Sequence, residues 1–164
     1  MDAYETILKR RSVRKFKPEP VSRDLLSKVV EAGRLAPTAR NEQPWEFIVV
    51  TEPERCRHIA GLTDTGKFIA DAQACIVVVS HPAKYYIEDG SAATTQMMLA
   101  ATALGLGSCW VAGDKKAYAD KVAAYCGVPA DFKLVALIAV GWPAEVPSPP
   151  KRSLDDVTHW ETLG

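Results

Sequence analysis

The chain has 164 residues, 48% of them hydrophobic, and its 20 lysines and arginines balance its 20 aspartates and glutamates. The length suits one domain with a sizeable core, and the hydrophobic content excludes a disordered chain. No apolar run reaches the roughly 20 residues of a membrane helix, and the polar start lacks the apolar core of a signal peptide. The balanced charge excludes a global attraction to nucleic acid. We therefore expect a cytoplasmic protein, one domain over 1–164, that binds neither membrane nor nucleic acid.

The first part of the chain predicts helices separated by one strand. Residues 2–9 form a short amphipathic helix. After a basic stretch and two prolines, Ser22 caps a second helix, which ends near Gly33. Residues 45–51, WEFIVVT, are rich in β-branched and aromatic side chains and predict a strand. Pro53 then opens another short helix.

The second part predicts two buried strands and the longest helix. Residues 74–80, ACIVVVS, form a continuous apolar run typical of a strand covered on both faces. The long helix spans residues 86–104, and its many alanines indicate close packing, either at the centre of the domain or across a dimer axis. A glycine-punctuated turn and a short strand follow at 105–113. Asp114 is predicted to cap a further helix, and 134–140 is another buried strand.

Residues 143–164 are predicted to form an extended C-terminal arm. They are rich in proline and have too little apolar content to fold on themselves. The arm must therefore lie on something, and a neighbouring subunit is a reasonable support. Because the connections between strands are too long or irregular for a clean series of βαβ units, we predict an α+β fold rather than a doubly wound parallel sheet.

The basic stretch at 10–16, RRSVRKF, is the first candidate binding element. If it is extended, its side chains alternate between two faces, so Arg10, Ser12 and Arg14 project together. Two forked cations and a hydroxyl suit a phosphate group. The alternative interpretation is a solvated basic turn. A second polar stretch at 36–45, APTARNEQPW, favours the binding interpretation.

Familiar catalytic signatures are absent from the sequence. It contains no GxGxxG after a strand, no GxxxxGK[ST] and no GxSxG. The four cysteines form no CxxC pair and the three histidines are scattered, so we assign no metal site. No carboxylate pair suggests a glycosidase. Phosphate-competent basic stretches without a protein nucleophile indicate a phosphorylated cofactor that supplies the chemistry itself.

These stretches, taken in order, resemble the flavin-dependent nitroreductase family. The resemblance is carried by 10–16, by 36–47 (APTARNEQPWEF), by 104–110 (LGLGSCW), and by Gly141 followed by the basic pair 151–152. It implies an α+β sandwich with a mainly antiparallel central sheet flanked by helices. It also implies an intertwined homodimer with FMN at the subunit interface.

The resemblance also implies which residues hold FMN. The basic stretch takes the phosphate and ribityl chain, helped by one of the two tail cations, and a loop of the partner subunit lies against the flavin ring. Backbone amides after the third strand approach flavin N5, and no side chain is catalytic. The residues assigned to the cofactor are Arg10, Arg11, Ser12, Arg14, Pro37, Thr38, Ala39, Asn41, Gln43, Ala112, Gly113, Lys151 and Arg152.

Several positions depart from the family pattern. Many members have an acidic residue where this chain has Ala112, which leaves the N5 contact to the backbone, and we expect Gly113 to permit close approach. Gln43 either contacts the flavin or braces its loop, and Lys67 is a possible substitute for a cation at the ring edge. The chain has little room for the lid of larger members, so we expect an open site, or one closed by three aromatic residues that could instead belong to the core. These are Tyr85, Tyr86 and Trp110.

The resemblance implies an FMN-dependent oxidoreductase that takes hydride from NAD(P)H. Electrons then pass by ping-pong exchange to nitro-aromatics, quinones or similar small electrophiles. Two alternatives stay open from the sequence. One is a flavin-binding protein for storage or sensing without turnover, and the other is a different flavin reaction on the same scaffold.

Overall fold

A computed structural model describes residues 1–163, which form four strands, five α-helices and two 3₁₀-helices. The strands are β1 (Trp45–Val50), β2 (Ala74–Ser80), β3 (Gly107–Ala112) and β4 (Lys133–Gly141). The α-helices are α1 (Ala3–Lys9), α2 (Arg23–Arg34), α3 (Pro53–Leu62), α4 (Tyr86–Ala103) and α5 (Ala119–Tyr125). The 3₁₀-helices span Ala39–Asn41 and Lys67–Asp71.

The four strands form one antiparallel sheet in the order β1-β2-β4-β3. The central pair, β2 and β4, is interrupted by one register shift between Val78 and Val79. Ser12 lies beside the outer edge of β3 and forms a single parallel bridge with Ser108. The basic stretch therefore extends the sheet by one residue at this edge. The predicted α+β class with an antiparallel sheet flanked by helices is confirmed.

Alternate side chains of β2 enter two separate cores. Val77 packs with residues of α3, α5 and the second 3₁₀-helix, whereas Ile76 packs with residues of α2 and α4. Every residue of β2 is buried, as the continuous apolar run predicts. Full burial of an aliphatic side chain of this size stabilises the fold by about 1.5–3 kcal/mol. The two cores fix helices on both faces of the sheet.

Helix α4 lies at the centre of the domain because its small residues allow close approach. A Cβ atom added at Gly90 would lie 2.8 Å from the methyl groups of Val135 in β4. On the facing helix α2, a Cβ atom added at Gly33 would lie 2.8 Å from the side chain of Met97 in α4. Ala93 and Ala101 of α4 are fully buried. The central-packing interpretation of the alanine-rich helix is therefore confirmed, and a role at a dimer axis stays a prediction.

Helix caps agree with the sequence at the start of the chain and differ after β3. Ser22 accepts a hydrogen bond from the Leu25 N–H at 3.3 Å, as predicted for α2. The prediction that Asp114 caps a helix is wrong, because α5 begins only at Ala119. The Asp114 carboxylate instead accepts a hydrogen bond from the Tyr86 hydroxyl at 2.7 Å. The Asp114 carboxylate therefore takes part in a tertiary contact with α4 and not in a helix cap.

The C-terminal arm leaves the domain beside the basic stretch. Phe16 and Pro143 form an antiparallel bridge, and Lys15 pairs with Glu145 at 2.8 Å. From there to residue 163 the structure contains no helix or strand, and Trp160 is 84% exposed. No helix within residues 1–163 is long and apolar enough to cross a membrane.

Candidate cofactor site

The extended stretch beside β3 presents its side chains alternately. Val13 is buried, and its side chain fills the space where a Cβ atom on Gly107 would lie, 2.8 Å away. Its N–H donates to the Ser108 carbonyl at 2.9 Å. The next residue, Arg14, is exposed. An inward valine between outward neighbours is the alternation that the sequence predicts.

The side chains of Arg10, Ser12 and Arg14 all act on one buried thiol. Burial raises the pKa of Cys109, and the positive charge of Arg14, a hydrogen bond from Ser12 and the charge of Arg10 oppose that rise. The Arg14 Nη1 atom donates to the Ser12 carbonyl at 3.4 Å, so these two residues lie together beside β3. The joint binding of one phosphate by Arg10, Ser12 and Arg14 stays a prediction.

Two of these cations have no carboxylate partner. Among residues 1–163, neither Arg10 nor Arg14 forms an ion pair. The Arg14 guanidinium lies 5.7 Å from the ring centroid of Phe68. Arg11 is different, because its Nη1 donates to the carbonyls of Leu8 and Arg10 near the end of α1. Arg10 and Arg14 are therefore the cations available to an anion, and the cofactor role of Arg11 stays a prediction.

The loop at 37–43 holds an unusual backbone conformation. Arg40, Asn41 and Gln43 have φ values of 55°, 58° and 50°. This left-handed region is unfavourable for residues other than glycine and often marks functional loops. The loop is held from within, because Thr38 Oγ1 accepts from the Gln43 N–H at 3.2 Å. The Gln43 side chain donates to the Asn41 carbonyl at 3.4 Å, which supports a bracing role for Gln43.

Asp89 is a residue of this site that the sequence analysis missed. It lies in the first turn of α4, is 5% exposed, and its Oδ1 accepts a hydrogen bond from the Ala39 N–H at 3.0 Å. The contact joins residues that are 50 positions apart. The available signal was a carboxylate on a helix otherwise rich in alanine. The sequence alone could not show that the carboxylate points inward.

The backbone after β3 packs more closely against β4 than the sequence predicts. The Gly113 N–H donates to the Val135 carbonyl at 3.2 Å. A Cβ atom on Gly113 would lie 2.7 Å from Leu134 Cγ and 2.9 Å from the Val135 carbonyl group. Glycine at 113 is therefore required by packing against β4, and its role in admitting the cofactor stays a prediction. The exposed Ala112 offers a carbonyl that accepts from the Tyr118 hydroxyl.

Lys67 and the aromatic residues have partners within the chain. The Lys67 Nζ atom donates to the Ala60 and Gly61 carbonyls at 3.2 and 3.0 Å, so it caps the end of α3. The hydrogen bond to Asp114, together with burial, raises the pKa of Tyr86 to about 12. Tyr86 and Trp110 pack against the core between α2 and α4. The core role is therefore favoured for these two aromatics, whereas Tyr85 is 38% exposed.

The tail cations do not join the basic stretch within one chain. Lys151 and Arg152 are exposed. Arg152 donates to the Asp156 carbonyl inside the arm. Among residues 1–163, no hydrogen bond or ion pair links either cation to Arg10, Ser12 or Arg14. The shared role of the two sets of cations at one cofactor stays a prediction.

The fold and the site together define a class of protein. Within residues 1–163, an α+β domain carries two guanidinium groups without ion pairs and a hydroxyl beside β3, at one edge of its sheet. It also carries a strained loop, held by a buried carboxylate, just before β1 at the opposite edge. No cluster of histidine, cysteine, aspartate or glutamate suited to a metal ion occurs in the described part of the chain. The donor set suits a phosphorylated organic cofactor.

Comparison with known proteins identifies the family. The family model described as "Nitroreductase family" matches residues 7–74 and 63–142. A protein from Archaeoglobus fulgidus named "Putative NADH dehydrogenase/NAD(P)H nitroreductase" is 32% identical over 151 residues, covering 88% of this chain and 87% of its own length. The chain belongs to the nitroreductase family, so the predicted resemblance is confirmed.

Solved structures agree with this assignment. An FMN-dependent nitroreductase from Clostridium difficile R20291 superposes with a TM-score of 0.91 at 29% identity, covering 96% of this chain and 98% of its own. A Desulfovibrio desulfuricans protein titled "putative nitroreductase in complex with FMN" has a TM-score of 0.84 at 29% identity, covering 100% and 99%. The two likenesses span nearly the whole of each chain, so the fold is shared throughout.

Proposed function

We propose that this protein is an FMN-dependent oxidoreductase that passes electrons from NAD(P)H to nitro-aromatics, quinones or similar small electrophiles by ping-pong exchange. The observation that carries the proposal is that Arg10 and Arg14, which flank Ser12 in the stretch beside β3, form no ion pair among residues 1–163. Cations held without a carboxylate partner repel each other and are stabilised by a bound dianion. The phosphate of FMN is such a dianion.

The relatives support the cofactor and the donor. The predictions of an FMN-dependent oxidoreductase with NAD(P)H as donor are confirmed at the level of the family, through relatives whose names state FMN and NAD(P)H. The acceptor and the ping-pong order are our proposals. They rest on the absence of a protein nucleophile among the assigned residues and on a cofactor that can hold two electrons between half-reactions.

The residues of this chain fit FMN at two places. Arg10, Ser12 and Arg14 would hold the phosphate and the ribityl chain through charge-assisted hydrogen bonds. The loop at 37–43 would lie against the ring of the flavin held by the other subunit, with Thr38 and Asn41 supplying polar contacts. When bound, FMN supplies the hydride-accepting position, and the protein's task is to orient the ring and leave one face open to the nicotinamide.

The proposed active form is a homodimer with FMN at the interface. Helix α1 exposes Tyr4, Ile7 and Leu8 by 71%, 55% and 56%, more apolar surface than a short helix would leave in water. The arm exposes Leu154 and Trp160 by 76% and 84%. A second copy that covers these surfaces would also bring its tail cations, Lys151 and Arg152, to the site. The intertwined arrangement is part of the proposal, and the exposed apolar surfaces of α1 and the arm support it.

A spectrum and a reduction experiment test the proposal. Freshly purified protein should be yellow, with an oxidised flavin band near about 450 nm that bleaches when NADH or NADPH is added without oxygen. Riboflavin, which lacks the phosphate, is the matched control ligand and should bind the flavin-free protein much more weakly than FMN. Protein that binds neither flavin contradicts the cofactor assignment. Bound flavin that neither nicotinamide reduces would favour the storage or sensor alternative.

The order of the half-reactions is tested by steady-state kinetics. Initial rates with menadione or a nitro-aromatic as acceptor, measured at several NADH concentrations, should give parallel double-reciprocal lines. Intersecting lines would show that donor and acceptor bind together, and would contradict the ping-pong proposal while leaving FMN binding intact.

A further inference from the structure

Asp89 is a buried carboxylate that no assigned function explains. It is 5% exposed, and its Oδ2 atom is buried without a hydrogen-bond partner among residues 1–163. The Oδ1 atom has one partner, the Ala39 N–H, at 3.0 Å. An incompletely satisfied buried carboxylate lowers the stability of a fold, so a well-packed apolar residue would serve the core better. The hydrogen bond between Asp89 and Ala39 must therefore serve a purpose other than the stability of the core.

That contact falls on the loop with the most unusual backbone in the domain. Of the five non-glycine residues with positive φ among those described, Arg40, Asn41 and Gln43 lie in this one loop. Local hydrogen bonds alone are weak constraints on such a segment, because they join only residues within the loop, two of the four to Thr38. Among residues 1–163, the Asp89 bond is the one side-chain hydrogen bond that ties the loop to α4 at the centre of the domain.

The placement of Asp89 favours a rigid anchor. Its helix packs against α2 and the sheet, and Gly90 beside it is in close contact with Val135. The position in the first turn of α4 places the carboxylate near the positive end of the helix dipole, which stabilises the charge. Hydrogen bonds from backbone N–H groups to an ionised carboxylate are stronger than those between neutral groups.

We propose that Asp89 is a positioning residue whose buried carboxylate holds the Ala39 backbone and so fixes the 38–43 loop in the conformation that meets the flavin ring. The inference rests on the proposed FMN site, to which it adds a residue that does not itself contact the cofactor. An unanchored loop would sample many conformations, and the entropy lost on ordering it would make flavin binding less favourable.

The test compares three variants with the wild-type protein. Asp89→Ala removes the acceptor, and Asp89→Asn keeps an oxygen that can accept from the Ala39 N–H. Glu88→Ala is the matched control, because it removes an exposed carboxylate from the same helical turn. Residue-resolved hydrogen exchange reports the loop amides, and quenching of FMN fluorescence on binding reports the dissociation constant.

We expect Asp89→Ala to speed amide exchange within residues 38–43 and to raise the FMN dissociation constant about 10- to 100-fold, the range for losing a charge-assisted hydrogen bond. Exchange in β2 and β4 should stay slow. Asp89→Asn should keep the loop amides within about twofold of wild type, since the acceptor is retained. Glu88→Ala should leave both measurements unchanged.

Three outcomes would overturn the inference. One is unchanged loop exchange in Asp89→Ala. Another is faster exchange spread through the whole sheet, which would indicate a purely structural role. The third is an Asp89→Asn variant as loose as Asp89→Ala. The exchange measurement needs no flavin, so it tests the anchoring of the loop independently of FMN binding. A wild-type protein that fails to bind FMN would contradict the proposed function but would not affect this test.

Discussion

Single side chains decide whether this domain can hold a phosphate. Arg14 is exposed, has no ion-pair partner among residues 1–163, and lies over the ring of Phe68. Its Nη1 atom donates to the Ser12 carbonyl at 3.4 Å, so the guanidinium stays beside the basic stretch without being neutralised. The ring contact limits where the side chain can go and lowers the conformational entropy lost on binding.

Arg14→Ala should weaken FMN binding by about 1.5–3 kcal/mol, the range for hydrogen bonds to a charged group, and leave the fold intact. Titration of flavin-free protein with FMN gives the affinity, and thermal unfolding checks the fold. Arg23→Ala is the control, because it removes an exposed arginine at the start of α2. Normal retention of flavin by the Arg14 variant through gel filtration would contradict the phosphate assignment.

Tyr86 makes the free energy of unfolding vary with pH in the alkaline range. Its hydrogen bond to Asp114, with burial as the next cause, raises the pKa of Tyr86 from 10.0 to about 12. The folded state holds the phenolic proton more tightly than the unfolded state does. The resulting stabilisation is therefore fully present below pH 10 and is lost as the pH rises from 10 towards about 12.

Urea denaturation at several pH values, for wild type and Tyr86→Phe, isolates this effect. The difference in unfolding free energy between the two proteins should be constant at neutral pH and shrink above about pH 10. Asp114→Asn keeps an acceptor without the charge and should shift the loss to lower pH. A pH-independent difference would show that the phenol does not titrate with folding.

At the scale of elements, glycines separate close packing from open surface. Gly90 in α4 has no room for a methyl group, because a Cβ atom would lie 2.8 Å from Val135. Gly61 in α3 is also helical, and a Cβ atom there would have no neighbour within 4 Å. Substituting alanine at both positions therefore separates the effect of packing from the effect of intrinsic helix propensity.

Gly90→Ala should destabilise the domain by about 1–3 kcal/mol through overpacking. Gly61→Ala should stabilise it by about 0.5–1 kcal/mol, because alanine loses less backbone entropy than glycine in a helix. Chemical denaturation of both variants gives the two free energies. Effects of the same sign would show that the contact between α4 and β4 is looser than the structure describes.

Elements were also where sequence reasoning was most reliable. The β2 strand lies at 74–80, as its apolar run predicts, and α2 begins directly after its predicted cap, Ser22. These signals are local, because a continuous apolar run and a capping residue can each be recognised within a few neighbouring positions. The cap predicted at Asp114 failed because Lys115, the next residue, has a φ of 61°, so the backbone there is not helical. The Asp114 carboxylate instead binds a distant phenol, that of Tyr86.

At the scale of the whole molecule, the proposed dimer depends on the arm. Its cations, Lys151 and Arg152, are exposed, and so are its apolar side chains Leu154 and Trp160. Truncation after Glu145 keeps the ion pair with Lys15 and removes the rest of the arm. We expect this variant to sediment as a monomer and to lose FMN.

The double variant Lys151→Ala/Arg152→Ala separates the two roles of the arm. It should remain dimeric, because the apolar contacts are kept, and bind FMN more weakly, because the cations are lost. Sedimentation velocity and FMN titration report the two properties. A truncated protein that stays dimeric and yellow would show that the arm serves neither purpose.

The sequence by itself determined the α+β class, the four strands, the main helices, and the alternation that buries Val13 and exposes Arg14. Each follows from side-chain periodicity or from backbone preference over a few residues. Only the tertiary structure decided the strand order β1-β2-β4-β3, the packing reason for Gly113, and the anchoring of Ala39 by Asp89. These depend on contacts between residues far apart in the chain, whose geometry is settled by how the helices pack on the sheet and leaves no local pattern to read.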